Sequence, residues 1–132
     1  MARATAQQGE RPPAALIDNF KKALKSIDEI QLTVIGRNSG RKTSRPVWFV
    51  LEGDTLYLLP VMGSDTEWYK NVLENATIGL TAKTITVTAM ARPITDPAKV
   101  RDVVEKFRDK YGAGEVSKYY SKFDVAVEVP LA

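Results

Sequence analysis

Short apolar runs, about six in number and each bounded by turn residues, are the feature that most constrains the fold of this chain. They cover residues 30–35, 47–51, 55–61, 78–82, 84–91 and 123–129. Because they come in adjacent runs and no G-x-G-x-x-G motif follows the first of them, a doubly wound parallel sheet is not expected. The pattern predicts an α+β domain whose largely antiparallel strands form a closed or half-closed barrel.

Three other segments have the apolar spacing or the end signals of helices. The first covers residues 14–26. The second is short: residues 64–67, with sequence SDTE, have the form of a capping box, and the helix should end near Asn75. The third covers residues 96–112 and has an Asp-Pro start and a glycine at its end. We therefore expect an N-terminal helix, a short mid-chain helix and a helix before the last strand.

The chain contains neither histidine nor cysteine. These absences exclude disulfides, thiolate nucleophiles, iron–sulfur clusters and imidazole bases, and with them Ser-His-Asp and Cys-His catalysis. No D-x-D-x-D-G pattern is present, so we assign no metal site and no catalytic side chain. If the protein is an enzyme, we expect a bound organic cofactor to supply the reactive atoms.

A chain of 132 residues is long enough to form one domain with a sizeable core. We expect residues 1–13, which are mostly polar and small, to form a flexible tail and residues 14–132 to form the single domain. No apolar run approaches the roughly 20 residues of a membrane-spanning helix, and the first residues lack the hydrophobic stretch of a secretory signal. A cytoplasmic protein without an integral membrane segment is the expectation.

Positive charge is concentrated in the first third of the chain. Residues 1–46 carry nine Lys or Arg and four acids, a net charge of +5, whereas the remainder carries −2. Four of these cations lie in residues 36–46, GRNSGRKTSRP, which contain no acid and which we call the basic segment. Because the patch is local, it suits a small anionic ligand better than nucleic acid, and no nucleic-acid partner is expected.

The glycines of the basic segment allow the backbone to approach a ligand closely. Gly36 and Gly40 could direct amide groups toward a phosphate. The side chains that could complete such an anion cradle are the guanidinium groups of Arg37 and Arg41 and the hydroxyl groups of Ser39 and Thr43. The alternative interpretation is a solvated turn between two strands.

An ordered set of motifs over residues 31–80 carries a resemblance to a known family. The set comprises GR-x-[ST]-G, then P-[VL]-[WY]-[FY], a GD turn, an apolar strand, a glycine loop and a helix with WY-x-N. It resembles the deazaflavin (coenzyme F420)-dependent nitroreductase and quinone-reductase family. This family belongs to the flavin/deazaflavin oxidoreductase superfamily of split β-barrels, which includes the pyridoxamine-phosphate-oxidase-like FMN proteins. The resemblance implies a split β-barrel that binds F420, with FMN as the alternative cofactor.

The resemblance also implies which residues form the site. The cofactor-binding candidates are Arg37, Asn38, Ser39, Gly40, Arg41, Thr43, Arg45, Pro46, Pro60, Val61, Met62, Gly63, Trp68, Tyr69 and Asn71. The candidates for the substrate pocket are Tyr111, Tyr119 and Tyr120. Asn38 stands where relatives often have lysine, and Met62 stands where some relatives have one, which should weaken binding of the polyanionic F420 tail. Trp68 and Asn71 have a second interpretation, as a core residue and a stabiliser of local backbone.

The activity implied by the resemblance is hydride transfer from a reduced deazaflavin to a planar electrophile such as a quinone, nitroaromatic or enone. A tyrosine or solvent would deliver the accompanying proton. The alternatives are an FMN-dependent reductase of the same fold, a non-catalytic carrier of a flavin-like or haem-like ligand, and, least favoured, a nucleic-acid-binding barrel. The expected partners are a redox cofactor and a planar acceptor, and the chain is expected to be a monomer or a homodimer.

Overall fold

The computed structural model describes residues 13–131, so residues 1–12 of the predicted tail lie outside the described residues. Residues 13–131 form four helices: α1 (Ala14–Leu24), α2 (Glu67–Glu74), α3 (Pro97–Tyr111) and α4 (Ala113–Tyr119). The strands are β1 (Glu29–Ile35), β2 (Lys42–Trp48), β3 (Val50–Glu52), β4 (Thr55–Leu58), β5 (Thr77–Ala82), β6 (Ile85–Met90), β7 (Arg92–Ile94) and β8 (Ala126–Pro130). A short 3₁₀ turn covers Gly63–Asp65.

The strands form two antiparallel sheets of four, in the orders β2-β1-β5-β6 and β3-β4-β8-β7. Alternate residues of β1 and β5 are buried, and they share one core with the inner residues of β4 and β8. Helix α1 packs against β6, and Phe20 of this helix is fully buried. The predicted α+β split barrel is confirmed.

The second predicted strand, residues 47–51, differs from the observed structure. Strand β2 begins at Lys42, in the middle of the basic segment, and ends at Trp48, before β3 begins at Val50. Its polar residues do not show an apolar strand pattern, because β2 is an edge strand with one neighbour, β1. An edge position also tolerates Pro46, which cannot donate a ladder hydrogen bond. Only residues 36–41 of the basic segment form a loop.

Phe49 forms the corner at which the chain passes from the first sheet to the second. Its backbone lies outside both strands and is bonded by side chains of α3. The Phe49 N–H donates to Tyr111 Oη at 3.1 Å, and its carbonyl accepts from Lys110 Nζ at 2.8 Å. Tyr111 Oη donates in turn to the Asp28 carbonyl at 2.8 Å. Helix α3 therefore holds the corner that separates the two sheets.

The ends of α3 agree with the prediction from the sequence. The Asp96 carboxylate accepts from the Lys99 N–H at 3.1 Å, and Gly112 ends the helix with φ of 97°. The buried stripe of α3 includes Phe107 and packs with Val116 of α4. None of the helices formed by residues 13–131 has the length and apolar character needed to cross a membrane.

Candidate ligand site

A pocket of about 400 Å³ opens between β2, the segment after β4, and α4. We call it the aromatic pocket. Its volume falls in the range of roughly 300–1,000 Å³ that is usual for small-molecule sites. It is lined by Glu29, Arg45, Pro46, Val47, Trp48, Leu59, Val61, Trp68, Glu115, Tyr119 and Tyr120. Six of these belong to the predicted site: Arg45, Pro46, Val61, Trp68, Tyr119 and Tyr120.

Trp48 is the centre of an aromatic cluster on the wall of this pocket. Its ring stacks on Tyr111 with centroids 4.2 Å apart and planes 8° apart. Tyr119 meets it edge-on at 5.5 Å, and Tyr120 lies 5.9 Å away. Prediction from the sequence missed Trp48, which it included only in the apolar strand of residues 47–51. The residues of strand β2, which ends at Trp48, do not alternate between buried and exposed, so its pattern gave no signal for Trp48.

The predicted substrate-pocket tyrosines have three different environments. Tyr120 lines the aromatic pocket and is 6% exposed, and its hydroxyl has no hydrogen-bond partner within residues 13–131. Burial raises the pKa of Tyr120, so the hydroxyl stays protonated across the physiological range. Tyr119 lies at the mouth and is 52% exposed. Tyr111 stands behind Trp48 with its hydroxyl bonded at the Phe49 corner, and burial raises its pKa to about 12.

The charges around the aromatic pocket are few and mixed. Arg45 is the single cation among the lining residues, and Glu29 and Glu115 are the acids. All three are exposed, so they lie at the rim. The interior is therefore an aromatic and aliphatic surface, which favours a flat, largely neutral ring over a highly charged group. Within residues 13–131 no group of three or more metal-ligating side chains is placed to hold an ion.

Arg37 contacts helix α2 and does not line the pocket. Its guanidinium donates to Asn71 Oδ1 at 2.8 Å and to Glu67 Oε1 at 2.8 Å, and its backbone N–H donates to Asn71 Oδ1 at 3.0 Å. The Arg37 hydrogen bond and charge hold the pKa of Glu67 below its ordinary value. Two predicted site residues, Arg37 and Asn71, are thus brought together, and they bind each other.

The loop at the start of the basic segment bonds its own amide groups. The Gly36 N–H donates to the Arg41 carbonyl at 2.8 Å, and the Gly40 N–H donates to the Gly36 carbonyl at 2.9 Å. The Arg41 N–H donates to Ser39 Oγ at 3.1 Å. Gly40 has φ of 72°, which a side chain would strain. The predicted site residues that are exposed here, outside the pocket lining, are Asn38, Ser39, Gly40, Arg41 and Thr43.

Residues 60–63 form the edge of the pocket beside α4. Pro60 and Gly63 are buried, and Met62 is 51% exposed. The Val61 carbonyl accepts from the Ser121 N–H at 2.8 Å, so the segment after α4 pairs with this edge. Of these residues only Val61 lines the pocket.

The predicted capping box at residues 64–67 is wrong. Ser64 lies in the 3₁₀ turn, and its hydroxyl and N–H both donate to Asp124, at 2.5 and 2.9 Å. Helix α2 begins after Thr66, whose hydroxyl accepts from the Met62 N–H at 2.8 Å. Glu67 binds Arg37 instead of turning back on the helix end. Ser64 and Glu67 therefore each bind a residue that is distant in the sequence, and the local sequence does not show these contacts.

The aromatic pair that opens α2 is buried. Trp68 is 4% exposed and still contributes to the pocket lining, so it is both core and wall. Tyr69 is 3% exposed and lies in the main core, away from the lining, and burial raises its pKa.

The fold is similar to those of several solved proteins. An F420-H2-dependent reductase, FDR-A, is 20% identical over 77% of this chain and 93% of its own, with a TM-score of 0.60. The haem storage protein HutZ from Vibrio cholerae is 14% identical over 89% and 90%, with a TM-score of 0.66. A candidate pyridoxamine 5′-phosphate oxidase from Listeria innocua is 16% identical over 86% and 91%, with a TM-score of 0.64. At these identities the likeness shows the fold alone.

Sequence comparison assigns the family directly. No curated protein matches the sequence of this chain. The model of the family DUF2255, described as uncharacterized protein conserved in bacteria, matches residues 21–127. That span includes the basic segment and every residue that lines the aromatic pocket. The resemblance to deazaflavin reductases therefore holds at the level of the fold, and the chain belongs to the DUF2255 family.

Proposed function

We propose that this protein is an oxidoreductase that binds the deazaflavin F420 and transfers a hydride from its reduced form to a planar electrophile such as a quinone, nitroaromatic or enone. The observation that carries the proposal is the aromatic pocket, which combines flat walls with the hydroxyl of Tyr120, a buried residue whose hydroxyl has no hydrogen-bond partner within residues 13–131. The split-barrel fold, which F420-dependent reductases also have, supports it.

The pocket residues fit the ring of such a cofactor. Trp48 and Tyr119 offer aromatic surfaces, and Val61 and Leu59 offer aliphatic ones. When bound, the reduced ring supplies the hydride, so the protein needs no nucleophile or imidazole of its own. These walls would hold ring and acceptor against each other and exclude water, which lowers the barrier by positioning.

The acidic tail of the cofactor would have fewer partners than the sequence predicted. Arg45 lies at the rim of the pocket, and Arg41 is exposed in the adjoining loop. Arg37 is engaged with α2, so in this proposal it positions the basic segment rather than binding phosphate. A site with two available arginines also suits the single phosphate of FMN, and an FMN-dependent reductase is the closest alternative.

Tyr120 is the proposed hydrogen-bond donor to the acceptor. A buried hydroxyl without a partner costs free energy, and an acceptor oxygen in the pocket would relieve that cost. Because burial raises the pKa of Tyr120, the hydroxyl is a donor throughout the neutral pH range. It would therefore orient a quinone or enone oxygen and hold a proton close to the site of reduction.

A second candidate function is a non-catalytic carrier of a flavin-like or haem-like ligand. The structural similarity to the haem storage protein HutZ favours it, with a TM-score of 0.66. Such a carrier would use the same aromatic pocket and bind the ligand without oxidising or reducing it. The two functions differ in whether a reduced cofactor is reoxidised by an added acceptor.

Tryptophan fluorescence provides a direct test, because the chain has two tryptophans and both line the aromatic pocket. F420 and FMN are titrated separately, and saturable quenching is expected with at least one of them. Menadione should then, without oxygen, reoxidise reduced F420 only when protein is present, and reduced FMN faster with protein than without it. Absence of quenching by either cofactor would contradict the oxidoreductase and a flavin carrier, and quenching without reoxidation by several electrophiles would leave the carrier.

A matched pair of arginine variants tests whether Arg45 binds the acidic tail of the cofactor. Arg45→Gln should weaken cofactor binding about three- to tenfold, because it removes a charge-assisted contact at the pocket rim. Arg101→Gln removes the same charge from the exposed surface of α3 and should change the affinity less than about twofold. Equal affinities for the two variants would remove Arg45 from the site.

A further inference from the structure

A second cavity, of about 310 Å³, lies between the end of α1, the Phe49 corner with β3, and the end of α3. We call it the lysine groove. It is lined by Leu24, Lys25, Ile27, Phe49, Val50, Leu51 and Lys110. Its lining is thus aliphatic and aromatic except for two ammonium groups, and no acid is among the lining residues.

The two lysines lie at the C-terminal ends of their helices. Lys25 is the C-cap of α1, and Lys110 lies in the last turn of α3. Each follows another lysine by four residues, Lys21 and Lys106. In each pair the first lysine is neutralised by the hairpin that joins β3 to β4. Lys21 binds Asp54 at 2.5 Å, and Lys106 binds Glu52 at 3.0 Å.

The second lysine of each pair lines the groove and has no such partner. Among the ion pairs within residues 13–131, none includes Lys25 or Lys110. Two ammonium groups that form no ion pair within the described residues therefore flank an apolar cavity. An apolar cavity bordered by uncompensated charge of one sign is complementary to an amphiphile of the opposite charge.

Lys110 is held in place by the Phe49 corner. Its ammonium lies 3.5 Å from the centroid of the Phe49 ring and donates to the Phe49 carbonyl at 2.8 Å. An ammonium group has three donors, so two remain for another acceptor. Burial lowers the pKa of Lys110, and the charge of Asp28 opposes this shift only in part.

We infer that the lysine groove binds a single-chain aliphatic carboxylate, with the carboxylate between Lys25 and Lys110 and the chain against Leu24, Ile27 and Leu51. The site is independent of the aromatic pocket, so the inference does not rest on the proposed oxidoreductase function. We assign a free carboxylate as the ligand for two reasons. The Lys110 ammonium is held at the Phe49 corner, and the volume of the groove lies in the range of small-molecule sites.

Calorimetric titration with hexanoate, octanoate and decanoate at neutral pH tests the apolar half of the site. The affinity should rise about fourfold for each CH₂ that the groove buries, until the groove is full. Octanol and decanol provide matched neutral ligands of the same chain length. They should bind more weakly than the carboxylates, by about three- to tenfold, because they cannot neutralise the two lysines.

Matched lysine variants test the charged half. The double variant Lys25→Gln with Lys110→Gln should weaken octanoate binding about three- to tenfold. The control, Lys22→Gln with Lys99→Gln, removes the same charge from the same helices at exposed positions outside the groove and should stay within about twofold of wild type. Because Lys110→Gln could loosen the Phe49 corner, Lys25→Arg with Lys110→Arg is measured too, and this variant should retain binding.

Several results would overturn the inference. They are the absence of saturable binding, equal affinity of the groove and control variants, and equal affinity for octanol and octanoate. A fourth is retention on phosphatidylglycerol vesicles without binding of the free carboxylates, which would assign the two lysines to a lipid surface instead.

Discussion

The polar groups of the loop that begins the basic segment, residues 36–41, are bonded within the protein, whereas the aromatic pocket contains one that is not. In the basic segment, Arg37 is bonded to α2 and the amides of Gly36 and Gly40 are bonded within the loop. In the pocket, the hydroxyl of Tyr120 is buried without a partner in the described chain. Bonded polar groups stabilise a fold, whereas an unpartnered buried group gains most when a ligand binds. The pocket is therefore the better candidate for recognition, and the segment is mainly a scaffold beside it.

The largest expected effect on stability comes from a comparison of two tyrosine variants. Tyr111→Phe should lower the free energy of unfolding by about 1–3 kcal/mol, because it leaves the Phe49 N–H without its acceptor at the corner between the sheets. Tyr120→Phe removes a hydroxyl that has no hydrogen-bond partner in the described part of the chain, and its stability should stay within about 0.5 kcal/mol of wild type or rise slightly. Urea unfolding of the two variants beside wild type measures both effects.

The tyrosine pair also has a functional readout. Tyr120→Phe should reduce the rate of acceptor reduction while leaving stability unchanged, if the hydroxyl contacts the acceptor. A Tyr120→Phe variant that is destabilised as strongly as Tyr111→Phe would show that its hydroxyl is bonded in the free protein. The contrast between the basic segment and the pocket would then be wrong.

The sequence predicted both ends of helix α3 well, because the signals for them are local. The cap and end of α3 were predicted because Asp96 and Gly112 act within a few residues. Strand β7 was missed because it has three residues, Arg92–Ile94, with a proline in the middle and no alternation to detect. The start of β2 was missed because its pairing with β1, not its own residue pattern, makes it a strand.

The site was harder to predict, because its decisive contacts join distant residues. Arg37 and Asn71 were both predicted as cofactor ligands, but they are 34 positions apart and their mutual hydrogen bond is invisible in either motif. Ser64 resembles a helix cap, yet its partner is Asp124, 60 positions on. Residue type and spacing indicated that these side chains matter, and only the tertiary fold shows what each one binds.

Variants of two asparagines of the predicted site should differ in stability by an intermediate amount. Asn71→Ala removes the acceptor of two Arg37 hydrogen bonds and should lower the free energy of unfolding by about 1–2 kcal/mol. Asn38→Ala, at an exposed position of the same segment, should change it by less than about 0.5 kcal/mol. Urea unfolding compares the two, and cofactor titration of each variant shows whether either side chain also contacts the ligand. A larger loss of stability for Asn38→Ala would contradict the scaffold role of the Arg37–Asn71 contact.

The smallest expected effect is the pH dependence of the Arg37–Glu67 contact. The Arg37 hydrogen bond and charge hold the pKa of Glu67 below its ordinary value of 4.5. A depressed carboxyl pKa stabilises the folded state above the unfolded-state pKa, and this contribution is lost as the pH falls through the folded-state pKa. Thermal unfolding from neutral pH into the acid range should therefore show a steeper loss of Tm for wild type than for Glu67→Gln. Because Glu67 is exposed, the difference should be small and should shrink in high salt.

Glu74→Gln is the matched control for this titration. Glu74 is exposed on the same helix and takes part in no ion pair within residues 13–131, so its variant should follow the wild-type curve in acid. If Glu67→Gln also followed the wild-type curve, the contact between Arg37 and Glu67 would contribute nothing to folding. Arg37 would then be free to turn toward an anionic ligand, as the sequence alone predicts, and the basic segment would have to be treated as a binding element after all.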